Sequence, residues 1–123
     1  MFRSRYVSEK LHQDNLRRQI LIYPKVLGEI RSNGINEHAV MKLNFFFYTN
    51  RRAKAEKLKN ELLSKGYELN EVRKSLSNRK WMVSGFSKPI QMEVGVLGEW
   101  SHYMCEAGYQ HDCFFDYWDV ERS

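Results

Sequence analysis

The chain has 123 residues, 42% of them hydrophobic and 14% aromatic; this fits one domain with its own core and excludes a disordered polyelectrolyte. Its formal net charge of +5 is a moderate excess that attracts polyanions, acidic proteins or anionic lipid without requiring any of them. No apolar run approaches the roughly eighteen residues that a membrane span needs, so no membrane role is expected.

The charge is uneven. Residues 1–31 carry Arg3, Arg5, Lys10, Arg17, Arg18, Lys25 and Arg31 against Glu9, Asp14 and Glu29, while residues 93–119 contain no Lys or Arg. In chain order, Ser8 is placed to cap a helix through Leu11, Leu16, Ile20 and Leu21. Pro24 then resets the chain and suits the first turn of a second helical piece, Pro24 to Arg31, which Asn33-Gly34 ends. Val40 to Thr49 reads as a strand, with Met41, Leu43, Phe45 and Phe47 on an apolar face and Lys42, Asn44, Phe46 and Tyr48 on a mixed one. Asn50 is placed to cap a helix over Arg51 to Lys65, in which Ala55, Leu58, Leu62 and Leu63 form an apolar stripe, stopped by Gly66.

Tyr67 to Ser75 reads as a polar edge strand, Ser77-Asn78 as a turn and Lys80 to Phe86 as a second central strand, ended by Pro89. Met92 to Ala107 is predicted helical, with Val94, Leu97, Trp100 and Met104 aligned. Gly95 and Gly98 either weaken it or let it sit close to the sheet, and Gly108 ends it. The last strand is Tyr109 to Val120. The order is strand, helix, strand, strand, helix, strand. This is the α+β, ferredoxin-like βαββαβ plan, a four-stranded antiparallel sheet with two helices on one face. The expected division is an N-terminal helical extension over 1–34 and the sheet domain over 35–123.

Four pieces of the chain resemble a known family. They are FFFYT (Phe45 to Thr49), the helix end LLSKGY (Leu62 to Tyr67), WMVSG (Trp81 to Gly85), and W-x3-M-C-x2-G-Y-x-H-D-C-x-F-D-x-W (Trp100 to Trp118). The chain is similar in these to the regulator of ribonuclease activity B family, described as ribonuclease E inhibitors, over roughly Pro24 to Val120. The resemblance implies a non-enzymatic regulator of RNA decay without a cofactor. It also implies a protein partner that is a ribonuclease or another degradosome protein.

Strict alternation puts Asp112, Phe114, Asp116 and Trp118 on one face of the last strand, and His111, Cys113, Phe115 and Tyr117 on the other. The first set, on the side that the resemblance leaves open, is the expected partner-binding patch. The competing reading makes its acids a solubilising edge. Phe46 and Tyr48, with Lys42 and Lys80 nearby, support an alternative in which RNA bases stack on the open sheet. Against it, Leu11, Leu16, Ile20 and Leu21 need burial, so the N-terminal helix is expected to cover that face.

His102, Cys105, His111 and Cys113 have metal-capable side chains, but their spacing matches no zinc pattern and no metal is expected. Glu99, His102 and Cys105 share a helix without marking a base-activated nucleophile, so no catalytic residue is assigned. The charged N-terminus lacks the apolar region of a secretory signal, so a cytoplasmic, reducing compartment with free thiols is the expectation.

Overall fold

The computed structural model describes residues 5–120. The elements follow the order α1 (Glu9–Ser32), β1 (Val40–Met41), β2 (Leu43–Thr49), α2 (Arg52–Ser64), β3 (Glu68–Leu69), β4 (Arg73–Lys74), β5 (Trp81–Phe86), β6 (Ile90–Gln91), α3 (Val94–Gln110) and β7 (Phe114–Val120). The protein is therefore α+β.

Strand β2 is central because its alternate residues Leu43, Phe45, Phe47 and Thr49 have no solvent exposure. Burying an aromatic of this size is worth about 1.5–3 kcal/mol relative to leaving it exposed. It pairs antiparallel with β5 on one side and β7 on the other. The path across the sheet is β3–β5–β2–β7, with β4 also pairing to β5. The polar edge segment is thus two short strands and not one: Asn70 still bonds Ser84 of β5, and pairing resumes at Arg73. The long strand expected from Val40 is also split. β1 turns away to pair with β6, and Leu43 N–H is bonded by Ser87 Oγ. The sheet therefore has an edge built from two pieces, and a separate two-stranded ribbon lies beside it.

Helices α2 and α3 supply Ala55, Leu58, Leu62, Leu97, Trp100 and Met104 to the core beneath the inward face. Leu63, expected in that stripe, is exposed. The cap of α2 is Arg51 and not Asn50, and it makes no side-chain bond. Glu93 caps α3 by accepting from the Gly95 and Val96 N–H groups. Gly108 lies inside α3, and a Cβ there would sit 2.7 Å from the Cys113 carbonyl oxygen and 2.9 Å from the Phe47 ring. Its missing side chain lets the helix end press on the sheet, so β7 begins at Phe114 and not at Tyr109. Gly98 serves a different neighbour from the one expected: a Cβ there would meet the Tyr23 hydroxyl of α1 at 2.8 Å, not the sheet.

Helix α1 departs most from expectation. Ser8 does cap it, accepting from Leu11 N–H at 3.1 Å. It then runs unbroken through Pro24 to Ser32. Proline removes one donor from the helical ladder, but the residues after it, Leu27 and Ile30, are buried in the core and hold the continuation in place. The helix packs chiefly on α3 and touches β7; it does not lie across the open face. Ile20 and Leu21 are accordingly 60% and 68% exposed, and the buried positions of the first half are His12, Asn15 and Gln19.

Candidate functional site

The open face of the sheet is set by strand register. Tyr48 lies opposite Met82 on β5 and Phe114 on β7, and Met82 lies opposite Arg73 on β4. One row across the sheet therefore reads Arg73, Met82, Tyr48, Phe114. The next row is Ser84, Phe46, Tyr117, and a third is Glu68, Phe86, Asn44, Asp119. Two rows thus carry an aromatic pair at their β2–β7 end. The Phe46 and Tyr117 rings stack at 4.5 Å with an interplanar angle of 13°. The Arg18 guanidinium of α1 lies 5.3 Å over Phe114, within cation–π range. Lys42 reaches Glu68 at 2.9 Å, and Lys80 lies 4.9 Å over the Tyr6 ring.

A bulge creates this face. Phe47 pairs with Phe115, but Phe46 pairs with Tyr117, so Asp116 is the extra residue. The bulge shifts the side-chain phase of β7: Phe115, Trp118 and Val120 turn inward, and Phe114, Tyr117 and Asp119 turn outward. This corrects the strict alternation expected from the sequence. Trp118 is buried against Trp100, ring centroids 5.7 Å apart at 86°, so it is a core residue and not part of an exposed patch. Tyr117, assigned to the inward set, is 46% exposed. The sequence signal was the run Phe114-Phe115-Asp116-Tyr117-Trp118, in which two aromatics on each side of an acid cannot all obey a period of two.

Asp112 is also displaced from the expected patch. It sits in the turn before β7 at φ 58°, a left-handed conformation that Asp tolerates. Its carboxylate accepts from the backbone N–H groups of Tyr6 at 2.8 Å and Val7 at 2.7 Å, and from Lys54. Arg5 lies 3.7 Å away and donates to the Tyr109 carbonyl. Burial pushes the Asp112 carboxyl up, but the Lys54 ammonium and the two backbone donors outweigh it and hold the group below its usual range. Asp112 therefore anchors the N-terminal segment. Of the four expected contact residues, Phe114 and Asp116 are half-exposed, and Asp112 and Trp118 are buried.

The metal-capable residues are dispersed. The exposed His102 approaches Glu106 at 3.8 Å, and His111 contacts Glu61 at 2.9 Å. Cys105 is buried beside Asn15. Among the described residues no group of three or more His, Cys, Asp or Glu side chains could hold a metal ion. Burial pushes the Cys105 and Cys113 thiols up to about 12, so at neutral pH each is a thiol and not the reactive thiolate. Among the described residues no helix is long and apolar enough to cross a membrane.

The family model described as Regulator of ribonuclease activity B matches residues 24–120, and the chain belongs to that family. The match begins within α1 and ends with β7, so it takes in the whole sheet and both faces. A search of curated proteins found no match.

Proposed function

We propose that this protein regulates a ribonuclease in the cytoplasm by direct, non-enzymatic contact, with the β7 side of its open sheet face covering a segment of the nuclease. The observation that carries the reading is Tyr117. It is nearly half exposed yet held by its stack on Phe46. An aromatic fixed on a strand loses little side-chain entropy on binding, and such residues recur among the few that dominate interface energy. Phe114 and Asp116 flank it on the same strand, the first adding apolar area and the second a charge that orients the partner and raises the on-rate. Asp112 and Trp118 contribute by holding this strand in place.

The test is binding to a purified ribonuclease, with the ribonuclease E suggested by the resemblance tried first, together with cleavage of an RNA substrate. Tyr117→Ala should weaken binding by about tenfold or more, relieve the effect on cleavage, and lower the stability only by the loss of its stack on Phe46, about 0.5–1.5 kcal/mol. Asp116→Lys should slow association. Equal binding by wild type and Tyr117→Ala would overturn the assignment of the face.

A further inference from the structure

The side of α3 turned away from the sheet has a chemistry of its own. Leu97, Trp100 and Met104 fix the buried side of the helix. Gly95, Glu99, His102 and Glu106 follow one another at spacings of four, three and four, so they share the outer side. They line a groove of about 630 Å³, to which α1 adds Tyr23 and the flank of α3 adds Tyr103. Gly95 and Gly98 put bare backbone on its floor. The Tyr23 hydroxyl rests over Gly98, 2.8 Å from where a Cβ would stand.

The polar groups of this groove are mostly acceptors. Glu99 is exposed and makes no hydrogen bond or ion pair among the described residues. Glu106 meets His12 at 3.1 Å and His102 at 3.8 Å with the same oxygen, Oε1, so Oε2 remains able to accept. The Tyr23 hydroxyl bonds to no described residue. Tyr103 is committed elsewhere: its hydroxyl donates to Glu61 at 3.1 Å, and Lys65 lies 5.8 Å over its ring. Among the described residues no Lys or Arg lines the groove, and residues 93–119 contain none.

A ligand for this groove must bring donors, positive charge and a flat apolar face. A guanidinium has all three. Its planar fork bonds a carboxylate with two N–H groups and rests against an aromatic ring, whereas an ammonium is a compact, strongly hydrated charge. Glu99 and Glu106 are two helical turns apart, roughly 10 Å along the axis. An extended peptide of polyproline II pitch presents residues i and i+3 on one side about 9 Å apart. The molecule as a whole, at net charge +5, repels a basic segment, which confines its binding to an acidic patch such as this one.

We infer that the outer groove of α3 binds an arginine-bearing protein segment of the pattern Arg-x-x-Arg, with one guanidinium on Glu99 beside Tyr23 and the next on Glu106. The sheet and α3 lie between this groove and the open face that carries Tyr117, so the site does not depend on the proposed nuclease interface.

The experiment is fluorescence anisotropy with the full chain and a labelled nine-residue peptide that has arginine at its fourth and seventh positions and glycine elsewhere. A peptide with lysine at both positions, and one with the two arginines adjacent, should bind several-fold more weakly. Glu99→Lys should weaken binding of the first peptide by about tenfold and leave the melting temperature unchanged, because Glu99 is exposed and unbonded. If that variant is destabilised, the two altered peptides decide alone. Spermidine, which carries charge without a guanidinium, should compete only at much higher concentration than unlabelled peptide. No binding of the first peptide, equal binding of either altered peptide, an affinity unchanged by Glu99→Lys in a stable variant, or competition by spermidine at peptide concentrations would each overturn the inference. Tyr117→Ala should leave peptide affinity unchanged. Loss of the peptide in that variant would place it on the open sheet face and overturn the groove assignment, whereas nuclease binding by Tyr117→Ala tests the other face alone.

Discussion

Helices α2 and α1 both pack against the body of the domain but bury opposite kinds of residue. In α2 the buried positions are Ala55, Leu58 and Leu62, and the charged residues face water. In the first half of α1 the buried positions are His12, Asn15 and Gln19, while Ile20 and Leu21 face water. The difference lies in what each helix meets. α2 meets the apolar inner face of the sheet, where only hydrocarbon fits. α1 meets α3 and the margin of β7, where backbone carbonyls and a carboxylate need partners. Asn15 donates to the Phe115 carbonyl at 2.9 Å, and Arg18 donates to the Phe115 carbonyl at 3.2 Å and the Asp116 carbonyl at 2.6 Å. His12 contacts Glu106 at 3.1 Å and stacks on Tyr109 at 4.1 Å. Asn15 and Arg18 thus occupy strand-edge carbonyls that would otherwise invite pairing with another chain.

The largest effect should come from the apolar helix. Leu58 has no exposure, so Leu58→Ala removes its transfer energy and leaves a cavity, a loss of about 2–5 kcal/mol. Asn15→Ala should cost about 1 kcal/mol, because it removes one buried hydrogen bond from the Phe115 carbonyl, which keeps Arg18 as its second donor. Denaturant unfolding of the two variants measures both. A loss from Asn15→Ala as large as that from Leu58→Ala would mean that α1 contributes more through its bonds than through its packing.

A second effect concerns the anchor at the start of the chain. Asp112→Asn keeps a residue that tolerates the left-handed turn but removes the charge that Lys54 and two backbone N–H groups address. Charge-assisted bonds of this kind suggest a loss of about 2–3 kcal/mol at neutral pH. The carboxyl is held below its usual range in the folded protein. Its stabilisation is therefore complete above the unfolded value, about 3.9, and is lost as pH falls through the lower folded value. Wild type and variant should differ fully at pH 7 and converge in acid. A gap that persists unchanged to pH 2 would show that the charge is not the cause.

The same contrast explains what was legible beforehand. Leu43, Phe45 and Phe47 announce an inward strand face, and Ala55, Leu58 and Leu62 an inward helix stripe, because the local pattern and the long-range environment agree there. They disagree on α1, where the pattern points to Leu11, Leu16, Ile20 and Leu21: of these Leu16 packs against the core, Leu11, Ile20 and Leu21 are exposed, and the partner surface selects His12, Asn15 and Gln19. Pro24 signals a break by local rules, and tertiary packing of Leu27 and Ile30 overrides it. The site was half legible for a related reason. Phe46 and Tyr48 follow from the period of β2, whereas Tyr117 depends on a bulge at Asp116 that strict alternation cannot represent. Trp118 is assigned to the wrong face by that same slip, and Asp112 because it lies in the left-handed turn before β7 and not on the strand.

The smallest effect is also the sharpest test of the contrast. Gln19 is 1% exposed; its Nε2 lies 3.5 Å from Asn15 Oδ1, and its Oε1 has no hydrogen-bond partner among the described residues. An acceptor buried in that way forfeits its hydration without compensation. If α1 is polar on its inner side only where β7 and α3 present groups to bond, Gln19 gains little from its amide. Gln19→Leu should then raise stability by about 1 kcal/mol, and Leu21→Gln, on the exposed side, should change it by less than about 0.5 kcal/mol. Thermal melts of both variants decide it. Destabilisation by Gln19→Leu would mean that the amide holds a bond essential to this interface, and that the polar character of α1 extends one full turn beyond Asn15.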